Sequence, residues 1–387
     1  MSGGIHDYLA WRGDLSLDAV PLCEADRLIL CELGYVSFGS YAPSLEDAPR
    51  SVPLKTAVRL LLEADPAGKT VHQTSYLWEE NRRMLEALAE APRFRDLPVL
   101  CCREMSGEEF QFGAMCVGLG RRRWFVSFRG TDDSVSGWRE DGLLALPGPV
   151  QSQNMAAEYL DAVAEKLPGV FFVGGHSKGG NLAVWAAASC SPSTRGRVIS
   201  VTNCDGPGFT RSFLQSEGYR DIRDRVEDYL PRSSVVGRLL EHEERYETVE
   251  SSAQGIMQHA AFSWQIRGGQ LVRAKRPDQY SDYMASVIAK WIAGLSDEQR
   301  LEFINVLTGY ARAWGIETLD QITPALFAKL PVVLKNMRTI RKEDRAAFRR
   351  ALRALGATAV RSLPGPAEAL TKRSAPKANA GSPEASV

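Results

Sequence analysis

The stretch that most constrains this 387-residue chain is Val170-Phe171-Phe172-Val173-Gly174-Gly175-His176-Ser177-Lys178-Gly179-Gly180-Asn181-Leu182-Ala183-Val184-Trp185-Ala186. A short apolar run ends in two glycines, Gly175-His176-Ser177-Lys178-Gly179 fits G-x-S-x-G, and an Ala-rich helical pattern follows at once. Strand, tight turn and helix in that order are the context of a nucleophile elbow. Small residues two before and two after Ser177 let the strand and helix backbones pass closely, while a strained turn projects the hydroxyl above the sheet. The helix N-terminus behind Ser177 offers unpaired N–H groups and the positive end of a dipole, suited to an oxyanion. The plainer account, a Gly-rich turn with an incidental serine, is the weaker one given these flanks. A phosphate-binding loop is excluded, because no G-x-x-x-x-G-K-[ST] spacing occurs.

Upstream of the elbow, helices are expected from Cys23 to about Tyr35, Ser51 to Ala64 and Tyr76 to Ala91, so the first ninety residues read as helical and precede the sheet. Strand patterns follow at Val99–Cys102, Phe110–Val117 and Trp124–Phe128, then a helix at Met155–Leu167 and the elbow. Beyond it come a strand at Arg197–Cys204, a helix around Phe209–Glu217, and strands at Arg225–Leu230 and Arg245–Val249. This alternation argues an α/β fold with a mostly parallel central sheet flanked by helices, and catalytic groups at the carboxyl ends of its strands. The expected division is an N-terminal helical segment (1–95) packed on the core, the α/β core (96–278), a C-terminal helical region (279–355), and a tail (356–387) whose Pro, Ala, Ser and Gly content reads as disorder.

Composition narrows the class. Lys+Arg and Asp+Glu both number 47, which gives no argument for nucleic acid or an acidic partner. Seven cysteines without a C-x-x-C pair read as reduced thiols of a cytoplasmic protein rather than a disulfide framework. The opening Met1–Asp7 lacks a basic region and an apolar core, so no signal peptide is expected, and no run is long enough to span a bilayer. Asp132 and Asp133 have no His or Cys beside them, so neither metal nor cofactor is expected. From Thr339 to Ala354 six basic residues alternate with apolar ones at helical spacing. A terminal helix packed on the core with a solvated basic face is the first reading, and peripheral contact with anionic membrane the second.

An acyl-transfer serine needs a base, an orienter for that base and an oxyanion hole. Of five histidines, His6 and His72 precede the sheet, and His176 sits on the elbow with its side chain expected to point away from that of Ser177. The order Ser, acid, His leaves His242 and His259. His242 lies in a charged helical stretch, whereas His259 lies in a loop after the last strand signal, and His259 is favoured as the base. Asp205 ends a strand in Asn203-Cys204-Asp205-Gly206-Pro207-Gly208 and is the first choice of acid, against a turn-capping role; Asp228 and Glu241 are reserves. The oxyanion donors are expected to be the Lys178 backbone N–H and Thr131, which follows a strand end and Gly130.

Phe128-Arg129-Gly130-Thr131, Gly137-Trp138-Arg139-Glu140-Asp141 and Gly175-His176-Ser177-Lys178-Gly179-Gly180 together resemble the class 3 (fungal-type) lipase family of α/β-hydrolases. More closely, the chain is similar to a bacterial lipase-like branch of unknown function, through Asp7-Tyr8-Leu9-Ala10-Trp11-Arg12-Gly13-Asp14, Asp205-Gly206-Pro207-Gly208-Phe209 and Gln258-His259 before Ser263-Trp264. The resemblance covers roughly residues 5–315. It implies an α/β-hydrolase fold, Ser177 as nucleophile, His259 as base, Thr131 with Lys178 at the oxyanion, and a lid within Asp132–Gln151. Where class 3 lipases carry an aspartate, this chain reads Tyr229-Leu230-Pro231-Arg232-Ser233-Ser234-Val235-Val236-Gly237, which keeps Asp205 as the first choice of acid. The implied chemistry is hydrolysis of an acyl ester or lipid through an acyl-enzyme; the alternative is a degenerate hydrolase fold that binds or scaffolds.

Overall fold

A computed structural model describes residues 2–66, 77–132, 134–242, 246–275, 279–313 and 341–362. His72, Asp133, the stretch 314–340 and the tail beyond 362 lie outside the described residues. Eight strands form one sheet in simple chain order: β1 (Val52–Pro53), β2 (Pro98–Ser106), β3 (Gln111–Gly118), β4 (Arg123–Phe128), β5 (Val170–His176), β6 (Val198–Cys204), β7 (Val226–Pro231) and β8 (Glu247–Val249). The three pairings from β1 to β4 are antiparallel, and the four from β4 to β8 are parallel.

One expectation is corrected here, and the direction of the first strands, left open by the sequence, is set. The first ninety residues are not wholly helical, because β1 lies within them and pairs with β2. Strand–helix alternation also begins only at β4. The β2–β3 and β3–β4 connections, residues 107–110 and 119–122, are far shorter than the dozen or more residues a parallel crossover needs, so those pairs can only be antiparallel.

The helices preceding the elbow are α1 (Ile5–Arg12), α2 (Glu24–Leu33), α3 (Leu54–Ala64), α4 (Trp78–Glu90), α5 (Val135–Leu143) and α6 (Gln151–Lys166). After it come α7 (Lys178–Ser189), α8 (Pro192–Arg195), α9 (Arg211–Leu214), α10 (Glu217–Ile222), α11 (Gln279–Ala293), α12 (Asp297–Ala313) and α13 (Lys342–Arg361). The single helix expected around 209–217 is two short ones, because the Ser216 hydroxyl accepts from the Tyr219 N–H and starts α10 afresh.

Strand order dictates how the faces are covered. Parallel strands added in one direction by right-handed crossovers put their helices on one face only. Side chains of α6, α7 and α10 accordingly pack with Val126, Phe128, Phe171, Val173 and Val201. The opposite face, with Val117, Phe125, Cys204 and Tyr229, is closed by α1–α4, where Leu28, Ile29, Leu30 and Leu33 of α2 are fully buried. The N-terminal helices are therefore half of the core, not an appendage to it.

At the other end, α13 continues through Gly356 to Arg361, past the point where the tail was expected to begin. The run Ala354–Ala359 favours helix enough to carry one glycine. This helix docks on α11 through hydrogen bonds from the Trp291 indole to the Ala351 carbonyl (2.9 Å) and from the Tyr283 hydroxyl to the Ala359 carbonyl (2.8 Å). Among the described residues no helix is long and apolar enough to cross a membrane.

Candidate active site

Ser177 stands between the end of β5 and the first residue of α7 with φ 56° and ψ −133°, a conformation L-residues rarely adopt. Its neighbours enforce the strain. The Ser177 N–H donates to the Cys204 carbonyl (2.9 Å) and its carbonyl accepts from Gly180 N–H (2.9 Å). A Cβ on Gly175 would come within 2.3 Å of the Gly179 backbone, so strand and helix can cross this tightly only without side chains at those positions. The Ser177 side chain is left half-buried at the carboxyl end of β5.

Asp205, directly after β6, also has positive φ (53°) and is fully buried. Its Oδ2 lies 2.6 Å from Nδ1 of His259, in a short 3₁₀ turn Gly255–His259. A carboxylate oxygen only accepts, so Nδ1 carries the proton and Nε2 presents a lone pair. The second carboxylate oxygen accepts from the Ser234 hydroxyl, which itself accepts from Gly237 N–H (3.1 Å). The 3₁₀ turn is fixed by Gln258, whose side chain accepts from Ser233 N–H (2.9 Å) and whose carbonyl accepts from the Trp264 indole (2.8 Å). The His259 ring then lies 4.7 Å, centroid to centroid, from that of His176, the residue before Ser177.

The reserve residues are engaged elsewhere. Asp228 pairs with His242 (3.2 Å), which packs on the Gly208 backbone, and Glu241 makes an exposed pair with Arg211 (3.1 Å). His6 pairs with Glu80 (2.6 Å).

Thr131 and Lys178 flank the elbow. The Lys178 N–H opens α7, where a helical N–H has no intrahelical acceptor. Its ammonium is buried against Glu140 Oε2 (2.8 Å), and Glu140 Oε1 accepts from Ser152 N–H (3.0 Å). The Thr131 hydroxyl donates to the Asp141 carboxylate, with both oxygens at 2.7 Å. Both acids sit on α5, so the segment suggested as a lid carries a helix tied to the elbow by the buried Glu140–Lys178 pair and to the loop after β4 by Asp141 and Thr131.

Burial pushes the Asp141 carboxyl up to about 6, against the pull of the Lys178 ammonium and the Thr131 hydroxyl. That is above the ordinary carboxylate value of about 3.9, so between the two the folded chain holds a proton that the unfolded chain has lost. Stability contributed by this group is therefore present at low pH and is lost as pH rises through about 6. Asp141→Asn, which keeps an acceptor for Thr131, is expected to gain about 1 kcal/mol on the parent between pH 5 and 7. Melting temperatures across that range check it; a pH-independent difference would count against the assignment.

Four residues with a part in this arrangement went unread in the sequence. Spacing assigns no role to Ser234 or Gln258, although a serine where class 3 lipases carry an aspartate is a usable signal. Tyr35 and Glu32, buried behind His176, carried none, since they are bound to the elbow only by the fold.

A family model described as Mbeg1-like matches residues 88–309, more than half of the 387. No curated protein matches the chain. Among solved structures that match is a crystal structure of M37 lipase, 15% identical, with 54% of this chain and 68% of that one covered and a TM-score of 0.30. A likeness at that level carries no argument.

Proposed function

The chain belongs to the Mbeg1-like family, and from that premise we propose that it is a serine hydrolase of the α/β-hydrolase type that cleaves a carboxylic ester through an acyl-enzyme on Ser177. One observation carries the reading: the buried Asp205 carboxylate holds the part-exposed His259 ring at 2.6 Å, and that ring lies 4.7 Å, centroid to centroid, from His176 on the strained turn that presents Ser177. In this mechanism His259 Nε2 takes the Ser177 proton as the hydroxyl oxygen attacks the ester carbonyl. The imidazolium so formed is stabilised by Asp205 through Nδ1–H. The tetrahedral oxyanion accepts from the N–H groups of Lys178 and Thr131, and its collapse expels an alkoxide that takes the proton from Nε2. Water, deprotonated by the same imidazole, then releases the acid and restores Ser177.

The acid would follow β6 rather than β7, with Ser234 occupying the place where class 3 lipases carry their aspartate and donating to Asp205 instead. The test is a fluorophosphonate probe on the purified protein, with the modified residue mapped by mass spectrometry and a series of acyl esters as competitors. Stoichiometric labelling at Ser177, slowed by a turned-over ester, is the expected result. Protein that stays unlabelled and inert across short and long esters would sink the enzyme reading.

A further inference from the structure

We infer that His176 and Tyr35 form a buried tether that positions the base His259, so that the N-terminal helices supply part of the catalytic machinery. The inference rests on the serine-hydrolase reading and deepens it. His176 Nε2 lies 2.8 Å from the His259 carbonyl oxygen. A carbonyl only accepts, so Nε2 carries a proton. Burial, with His259 next to it, pushes the His176 pKa well below the ordinary histidine range, so the ring is neutral and Nδ1 is an acceptor.

Nδ1 faces two groups from the N-terminal region, of which the Tyr35 hydroxyl at 3.1 Å can donate to it, while the buried Glu32 Oε1 at 3.2 Å is an acceptor and makes no hydrogen bond to the neutral ring. Burial and then the Glu32 charge hold the Tyr35 phenol well above its usual range, so it keeps its proton and donates it to His176, whose carbonyl lies 3.3 Å away as an alternative acceptor. The chain of donors then runs in one direction, from Tyr35 O–H to His176 Nδ1 and from His176 Nε2–H to the His259 carbonyl. The same hydroxyl fills the space at Gly130, where a Cβ would meet it at 2.0 Å, so Tyr35 also abuts the loop leading to Thr131.

The 3₁₀ turn carrying His259 is held from one side by Gln258 and from the other by this tether. Its ring is in addition part-exposed. Misplacing a catalytic group by ~1 Å can cost on the order of 10²-fold in rate. A positioning role therefore predicts a loss in kcat with KM nearly unchanged.

The experiment compares His176→Leu, His176→Gln and Tyr35→Phe with the parent for kcat, KM, fluorophosphonate labelling rate and melting temperature. His176→Leu is expected to lose on the order of 10²-fold in kcat and labelling rate, with KM within about twofold. His176→Gln, whose amide N–H reaches the His259 carbonyl, is expected to recover most of that loss. Tyr35→Phe, which also removes a hydrogen-bond partner of the Ser177 side chain, is expected to cost roughly tenfold, and the Leu-against-Gln pair at His176 isolates the part due to the tether. A Gln variant as impaired as Leu, or a folded Leu variant with parental kcat and labelling, overturns the tether. If the Leu variant does not fold, the two nearly isosteric variants decide: parental rates in both overturn it. An inert, unlabelled parent protein removes the enzyme reading and the tether with it, whereas a labelled parent with indifferent variants removes the tether alone.

Discussion

Asp205→Asn is expected to lower kcat on a short acyl ester by about 10⁴-fold, the scale seen when the acid of a Ser-His-Asp constellation becomes an amide. The substitution keeps the shape of a fully buried side chain that touches His259 on one oxygen and Ser234 on the other. It removes the charge that stabilises the imidazolium. It also offers an N–H₂ to the imidazole, which favours the tautomer with its proton on Nε2, where the lone pair is needed. Asp228→Asn is the matched control, because Asp228 pairs with His242 at 3.2 Å in a second aspartate–histidine pair on the neighbouring strand. That variant is expected to keep kcat within a few-fold. Measured together with the labelling rate, the two substitutions assign the acid: collapse in Asp228→Asn with Asp205→Asn near parental would move the site from β6 to β7.

The difference between these two aspartates shows where sequence reading stops. Asp205 follows β6, Asp228 lies within β7, and both precede a histidine in the chain, so chain order alone does not choose between them. What separates them is tertiary: the 3₁₀ turn pinned by Gln258 brings His259 to Asp205, while the 239–242 segment lies along Gly208 and Phe209 and brings His242 to Asp228. The elbow was legible because its requirement is local, with close-passing backbones demanding glycine at fixed offsets from Ser177. The parallel half of the sheet was legible for a related reason, since apolar runs alternate there with amphipathic helices. The direction of the first strands was not legible in the same way, because strand patterns alone do not carry it. The lengths of the intervening turns do, and residues 119–122, Leu-Gly-Arg-Arg, with Gly120, Arg121 and Arg122 all at positive φ, form a hairpin turn that the spacing permitted one to name. A two-residue strand such as β1 has no periodicity to read at all.

Arg93→Met is the substitution outside the site with the largest expected effect, about 3–5 kcal/mol of lost stability. Both Arg93 and Asp26 side chains are fully buried, and the guanidinium grips the carboxylate in a two-pronged pair, Nε to Oδ1 at 2.7 Å and Nη2 to Oδ2 at 2.5 Å. Its remaining N–H groups donate to the carbonyls of Leu15, Val20 and Pro21 at 2.9–3.1 Å, tying the 15–21 loop to the end of α4. Asp26 also accepts from the Tyr8 hydroxyl (2.7 Å) and the Cys23 N–H (2.8 Å), so one ion pair joins α1, α2 and the loop between them. Methionine fills a similar volume but strands the carboxylate and three carbonyls away from water, and the uncompensated charge dominates the cost. A double variant, Arg93→Met with Asp26→Leu, is therefore expected to regain a substantial part of the loss. The exposed Arg59–Glu63 pair gives the contrast, since Arg59→Met should change stability by less than about 0.5 kcal/mol. Denaturant midpoints at constant slope measure all three. Because α2 carries Glu32 and leads directly to Tyr35, loss of this clamp should also slow labelling of Ser177 at temperatures below global unfolding. An Arg93→Met protein within about 1 kcal/mol of the parent would mean that the N-terminal helices are held on the sheet by apolar packing alone.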